Sequence, residues 1–168
     1  MAGGVAPLVE LLKAGLSDNR VEAQEYSLWS LSVTTDPLRC KNMVEEGCIP
    51  ALIQSLRDGK LREDSKEHAA MVLASLAIES VYLEEIVRNG AITQLVELLT
   101  AEHTTMGAKK QAALGLARLT HHGSETQILI AEEGAITPLV QWLRDPAAGP
   151  SAVAAFALSE LARDNHAA

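Results

Sequence analysis

The sequence predicts an all-α fold in which short helical units stack along one axis, and three observations favour it. Aromatic residues make up 3% of the 168 residues although 48% are hydrophobic, so aliphatic residues supply the apolar mass. Such a composition suits closely stacked helices better than a β-sandwich. One ten-residue pattern occurs four times, and apolar residues between its copies recur at helical rather than alternating spacing.

The repeated pattern predicts the second helix of each unit. Each copy begins with a glycine. Successive leading glycines are 43 or 44 residues apart, at Gly3, Gly47, Gly90 and Gly134. This period lies within the roughly 40 to 47 residues of arrays that have two or three helices per unit. The four copies span residues 3–12, 47–56, 90–99 and 134–143.

A second recurring pattern predicts the third helix of each unit. Its copies are 26–31, 71–76, 114–119 and 156–161. In and beside the second copy, apolar residues recur at the spacing of one helix face, which predicts an amphipathic helix: Ala70, Leu73, Leu76 and Ala77.

A shorter first helix is predicted before each internal glycine. Asp36 is a suitable N-cap, Pro37 suits the first helical turn, and Gly47 supplies a left-handed terminating residue. The equivalent helices are predicted at 81–88 and 125–132. Polar loops between second and third helices are predicted at 15–19, 58–65, 101–107 and 145–151.

These elements predict a single domain, 1–168, with repeats at about 1–34, 35–79, 80–122 and 123–165. The first repeat lacks a short first helix, and apolar residues such as Leu11 and Leu158 near the two ends resemble interior residues. Terminal units of such arrays usually carry polar caps. We therefore expect either a segment of a longer array or self-association through the terminal helices.

The repeats resemble the armadillo repeat family. The resemblance is carried by the glycine-led pattern at 47–56, 90–99 and 134–143 and by the third-helix pattern at 69–77 and 155–162. HEAT repeats are similar but have two helices per unit. The resemblance implies a right-handed α-α superhelix, an armadillo solenoid, whose third helices line a concave groove that binds proteins.

In armadillo adaptors of the importin-α kind, ladders of Trp and Asn on the third helices hold an extended peptide. Here neither ladder is present, which argues against a nuclear-import-type cargo adaptor. Trp29 lies three residues after the first Trp place, and we expect it to pack inside the fold. The Trp places hold Tyr26, Met71, Leu114 and Phe156, and the Asn places hold Ser30, Ser75, Arg118 and Glu160.

The first of these rows is apolar and polar residues flank it, so it is our candidate partner-binding groove. Such a stripe suits an amphipathic helix or an extended apolar peptide, with the polar residues setting its register. The alternative is that the row packs against neighbouring third helices. The candidate residues are Tyr26, Ser30, His68, Met71, Ser75, Gln111, Leu114, Arg118, Phe156 and Glu160.

Charge and hydropathy narrow the partner classes. The formal net charge is −8 and Lys and Arg form no dense cluster, so we expect no nucleic acid or membrane partner. No apolar stretch reaches the roughly 18 to 20 residues of a membrane-spanning helix. Two cysteines cannot form a disulfide framework, which predicts a cytoplasmic location, with the nucleus as the alternative.

The sequence indicates no enzyme active site, cofactor or metal site. Gly47 separates Cys40 from Cys48, and Gly123-Ser124 lacks the strand-to-helix elbow of a nucleophilic serine. The adjacent side chains of His121 and His122 point about 100° apart on a helix. Carboxylate pairs at 45–46, 84–85 and 132–133 predict a solvated edge or, alternatively, an acidic rim for a basic partner.

We therefore predict a non-catalytic scaffold for protein–protein interaction. The alternative is a structural or self-assembly segment that acts through its terminal helices.

Overall fold

The computed structural model describes residues 4–144 and 151–163, and within these ranges the chain is helical and contains no β-strand. The predicted all-α class is confirmed. A 3₁₀ turn at Ser80–Tyr82 precedes the sixth helix. The helices, in chain order, are α1 (Val5–Ser17), α2 (Val21–Ser32), α3 (Pro37–Glu45), α4 (Cys48–Arg57), α5 (Glu63–Leu76), α6 (Leu83–Arg88), α7 (Ala91–Thr100), α8 (Met106–Thr120), α9 (Ser124–Glu132), α10 (Ile136–Arg144) and α11 (Ser151–Ala162).

The helices form parallel rows along the array. The third helices α2, α5, α8 and α11 pack each against the next, and the second helices α1, α4, α7 and α10 form a row behind them. The shorter first helices α3, α6 and α9 link one repeat to the next. Each unit thus buries apolar surface in two ways, between its own second and third helices and against the neighbouring units.

Glycines in left-handed conformation connect the first helix of a unit to the second, as predicted. Gly47, Gly90 and Gly134 have φ of +70°, +82° and +85°, a region in which a Cβ is strained. The cap of the first short helix is also confirmed, since the Asp36 side chain accepts a hydrogen bond from the Arg39 N–H at 3.1 Å.

The first predicted loop, 15–19, begins three residues too early, because α1 continues through Ser17. Gly15 lies buried within α1, and a Cβ there would be 2.7 Å from Cγ of Gln24. The Gln24 amide Nε2 donates to the carbonyl of Gly15 at 3.0 Å. The glycine therefore permits a close crossing of α1 and α2 rather than a turn.

Other predicted boundaries fall where helices end. Those after residues 34, 79 and 122 lie between helices, whereas the end of the last repeat at 165 lies outside the described residues. So does the predicted loop 145–151, apart from its last residue, which opens α11.

Small residues bring the third helices together. Ala69, Ala70, Ala112 and Ala113 are fully buried. A Cβ on Gly115 of α8 would be 3.1 Å from Leu95 Cδ1 and 3.7 Å from the Cα of Ala74 on α5. Larger residues there would force the rows apart, since protein interiors are already close-packed.

Basic side chains also join consecutive repeats. Lys13, near the end of α1, donates its ammonium to the carbonyl of Glu46. Arg57 occupies the equivalent position at the end of α4, and its Nη2 lies 3.4 Å from the carbonyl of Asn89. Each cation thus reaches the carboxyl end of the following short helix, where the helix dipole favours positive charge.

We predict that Gly90→Ala lowers the free energy of unfolding by about 1 to 2 kcal/mol, because alanine is strained at positive φ. Urea unfolding followed by circular dichroism measures the change. Gly59→Ala is the matched control, since no atom lies within 4 Å of its Cβ position and its φ is not positive. Equal effects of the two substitutions would contradict the role assigned to Gly90.

We also predict that the two thiols react slowly while the chain is folded. Cys40 and Cys48 are buried, and burial raises the pKa of Cys48 from its ordinary 9.0 to about 12. At pH 8 only about one molecule in 10⁴ then carries the reactive thiolate there. A chromogenic disulfide reagent should modify Cys48 much faster in urea than in buffer, and prompt modification without urea would contradict the packing.

Candidate functional site

The apolar row of the third helices remains partly on the surface. Tyr26 and Phe156 are 69% and 41% exposed, and Met71 and Leu114 are half-buried. The row is therefore not simply core, and its aromatic ends are the most accessible parts. We call the exposed surface of α2, α5, α8 and α11 the third-helix face.

The prediction that Trp29 packs inside the fold is wrong. Its side chain is 55% exposed. The equivalent positions in the next two repeats are Ala74 and Ala117, both buried, and Ala74 lies against the backbone of α8 at Gly115. An indole cannot fit between helices that approach so closely, so Trp29 lies at the surface beside Tyr26.

Tyr26 and Trp29 line a groove between α2 and α5, which we call the α2/α5 groove. Its volume is about 420 Å³. Of the predicted groove residues, Tyr26 and His68 line it, whereas Met71, Leu114 and Phe156 lie further along the third-helix face. The lining residues are Glu22, Glu25, Tyr26, Trp29, Arg62, Asp64, Ser65 and His68.

Hydrogen bonds between α2 and α5 hold the walls of this groove. Glu25 Oε1 accepts from both the backbone N–H and Nε of Arg62, at 3.2 and 3.1 Å. At the other end, Ser32 Oγ lies 2.7 Å from the Trp29 carbonyl and 3.1 Å from Nδ1 of His68. A hydroxyl that donates to the carbonyl accepts from the imidazole, so His68 is oriented by the same residue that anchors the end of α2.

The rim of the α2/α5 groove is acidic. Arg62 is its cation and is paired with Glu25, whereas Glu22 and Asp64 are exposed and have no ion-pair partner among the described residues. Two aromatic faces thus lie beside two carboxylates that are free to attract a cation. The arrangement favours a positively charged group over an anion.

The sequence does contain a signal for the half of the groove that α2 forms. Glu22, Tyr26 and Trp29 are spaced i, i+4 and i+7, so they share one face of α2. The α5 half has no such signal, because Asp64 and Ser65 join the site only through the way α5 is staggered against α2. Neither was among the predicted residues.

In the second half of the array the predicted polar residues are held by the fold itself. Arg118 Nη1 donates to the carbonyl of Ala74 at 2.6 Å, and burial lowers the pKa of its guanidinium. Glu160 is buried between Nδ1 of His121 at 3.3 Å and Nη2 of Arg163 at 2.6 Å. The prediction that Arg118 and Glu160 set the register of a partner therefore does not fit their position, because both groups bridge neighbouring elements.

The remaining predicted groove residues have smaller roles in the described structure. Ser30, Ser75 and Gln111 are half-buried, and the Ser75 hydroxyl donates to the carbonyl of Met71 at 3.0 Å.

His122, just after α8, connects this helix to the end of α5. Its Nε2–H donates to the carbonyl of Ala77 at 2.9 Å.

The carboxylate pairs lie on the short first helices, away from the third-helix face. In two of the pairs, one carboxylate forms an ion pair with a basic residue of the same helix. Lys41 lies 3.7 Å from Glu45, and Arg88 lies 2.5 Å from Glu84. Within residues 4–144 and 151–163, no three His, Cys, Asp or Glu side chains cluster as metal ligands would. Across the same residues, each helix is too short or too polar to cross a bilayer.

Comparison with known proteins points to one kind of repeat. No family model matches the chain. A protein of Arabidopsis thaliana named "ARM repeat protein interacting with ABF2" is 32% identical over 117 residues, covering 60% of this chain. The chain spans 16% of the length of that relative.

Solved structures of engineered and designed proteins share the fold. One engineered protein has a TM-score of 0.81 at 28% identity, with 95% of this chain and 38% of that chain covered. A computationally designed armadillo repeat protein for modular peptide recognition has a TM-score of 0.81 at 21% identity, covering 94% of this chain and 64% of that one. A designed armadillo repeat protein in complex with the peptide (KR)4 has a TM-score of 0.79 at 21% identity, covering 94% and 64%.

The glycine-led repeats and the order of short, second and third helices give this chain the fold of the designed armadillo repeat proteins, and these similarities support the resemblance to the armadillo repeat family.

Proposed function

We propose that the chain is a non-catalytic scaffold that holds a segment of a partner protein on its third-helix face, with the α2/α5 groove as its main point of attachment. One observation carries the proposal. Tyr26 and Trp29 are large, exposed aromatic side chains, and they lie beside the unpaired carboxylates of Glu22 and Asp64. A stably folded chain rarely leaves two such side chains together on its surface unless they bind something.

The chemistry of the groove favours a cationic side chain. An Arg or Lys of the partner would lie over the ring faces of Tyr26 and Trp29, and the carboxylates of Glu22 and Asp64 would balance its charge. Arginine fits best, because its planar guanidinium stacks on aromatic rings and forms bidentate hydrogen bonds with carboxylates. The partner segment is therefore basic where it enters the α2/α5 groove.

The rest of the third-helix face offers apolar contact. Met71, Leu114 and Phe156 follow one another along α5, α8 and α11 and are at least partly exposed. Apolar side chains of the same segment, extended or helical, would be buried on this row. Because the ladder positions carry no Asn, they cannot hold the backbone of the partner segment uniformly. The side chains of the partner segment therefore determine what binds.

The comparisons support an interaction role in a general way. One designed neighbour was solved with the peptide (KR)4, and the name of the plant relative refers to an interaction with another protein. For this chain the case for a basic segment rests on its own groove residues. The net charge of −8 is in keeping with a protein partner rather than nucleic acid, and the cytoplasm, or alternatively the nucleus, is our proposed location.

We predict that Tyr26→Ala combined with Trp29→Ala weakens binding of the synthetic peptide (Lys-Arg)4 by about five- to thirtyfold. Two cation–π contacts of about 0.5 to 1 kcal/mol each amount to roughly that factor. Fluorescence anisotropy of a labelled peptide measures the dissociation constant at fixed ionic strength. The substitutions leave the net charge unchanged, so non-specific attraction to an acidic protein is unaffected.

Val81→Ala is the matched control, because Val81 is 76% exposed and lies on the 3₁₀ turn, outside the groove. Its affinity for the peptide should equal that of the unchanged chain. Equal binding by the groove variant and the control would contradict the proposal. Circular dichroism confirms that each variant is folded, which we expect because all the substituted side chains are exposed.

A further inference from the structure

The charge on the third-helix face changes sign between α5 and α8. One turn before the apolar row, α2 and α5 carry Glu22 and Glu67, whereas the equivalent residue of α8 is Lys110. The helix α8 contains basic residues and no acidic one, while α2 contains acidic residues and no basic one. Both α5 and α8 have a third helix packed on either side. The change of sign therefore lies inside the array.

Two cations of α8 flank Leu114 of the apolar row. Lys110 precedes Leu114 by four residues and Arg118 follows it by four, so the three side chains share one face of the helix. Lys110 is exposed, and Leu114 and Arg118 are half-buried. A positive charge thus lies on each side of an accessible apolar residue.

Neither cation forms an ion pair with a carboxylate of the described residues. Arg118 keeps its positive charge and donates to a neutral backbone carbonyl. On the α5 side, Glu67 Oε2 accepts from the Thr105 hydroxyl at 3.2 Å and forms no ion pair with Lys110. On the α11 side, the carboxylate of Glu160 is paired with other groups. Two uncompensated positive charges beside an apolar residue favour a carboxylate of the partner.

We propose that the partner segment carries an acidic residue that binds between Lys110 and Arg118, in addition to the basic residue that binds in the α2/α5 groove. This inference rests on the proposed function, because it concerns the same segment on the same face. The occupant is an extended segment of a partner protein with a basic, an apolar and an acidic residue in that order along the array. Charge complementarity carries the argument, since each charged residue of the segment meets charges of opposite sign.

The spacing of the helices sets the spacing of these partner residues. Packed helices lie about 8 to 10 Å apart, so α8 is about 12 to 15 Å beyond the middle of the α2/α5 groove. An extended chain advances about 3.3 Å per residue, which places the acidic residue about four positions from the basic one. Alternate side chains of an extended segment point the same way, so the residue midway between them contacts Met71 of α5 and should be apolar.

The test uses a peptide with blocked ends that reads the same in both directions, Glu-Thr-Leu-Thr-Arg-Thr-Leu-Thr-Glu. One Glu therefore extends from the central Arg toward α8 whichever way the peptide binds, and threonine favours an extended conformation. In the comparison peptide, Gln replaces both Glu residues. Isothermal titration calorimetry at fixed ionic strength measures both dissociation constants. The unchanged chain should bind the Glu peptide about two- to fivefold more tightly, the range of exposed ion pairs.

Lys110→Gln should remove most of this preference for the Glu peptide. Lys109→Gln is the matched control, because it removes the same charge from the adjacent residue, whose side chain lines a different groove with Gln141 and Trp142 of α10. The control should keep the preference. Circular dichroism checks that both variants fold, as we expect because neither lysine forms an ion pair among the described residues.

Three results would overturn the inference: equal binding of the two peptides by the unchanged chain, a preference that persists in Lys110→Gln, or the same loss of preference in both lysine variants. Failure of the proposed function gives a different result. Tyr26→Ala combined with Trp29→Ala should weaken both peptides by the same factor and leave the preference intact. If that variant binds both peptides as tightly as the unchanged chain, the α2/α5 groove is not the point of attachment.

Discussion

Close contact between neighbouring repeats is the constraint on which the rest of this structure depends. The second and third helices of each unit pack together, but a unit alone cannot bury all of its apolar surface, so it must also pack on the next one. Small residues make this possible at the third helices, where Gly115 of α8 lies against Ala74 of α5. The continuous surface formed by α2, α5, α8 and α11 is a direct consequence of that packing.

The same constraint separates polar residues that support the fold from those that are free to bind. Arg118 and Glu160 lie on the third-helix row, yet their charges are used between neighbouring elements of the array. His122 does the same for α5 and α8. In the α2/α5 groove, by contrast, the ion pair between Glu25 and Arg62 joins the two helices. Glu22, Asp64 and two aromatic rings remain accessible there.

The sequence predicted the fold well because the repeats are defined by local signals. A glycine at positive φ, as at Gly90, and an N-cap such as Asp36 act within a few residues of the chain, so their spacing alone marks the helices. The candidate site was harder to predict. Whether a third-helix residue such as Trp29 or Glu160 is exposed depends on how far one helix is staggered against the next, and that stagger is not encoded in either helix by itself.

The most direct test of the α2/α5 groove as a binding site is a two-dimensional ¹H–¹⁵N NMR titration of the full chain with (Lys-Arg)4 at fixed ionic strength. We predict that the largest shift changes occur at the Trp29 indole N–H and at the amides of Tyr26, Ser65 and His68, with smaller changes along α8. Changes concentrated on α3, α6 and α9, or spread evenly over the acidic surface, would contradict a binding role for the α2/α5 groove.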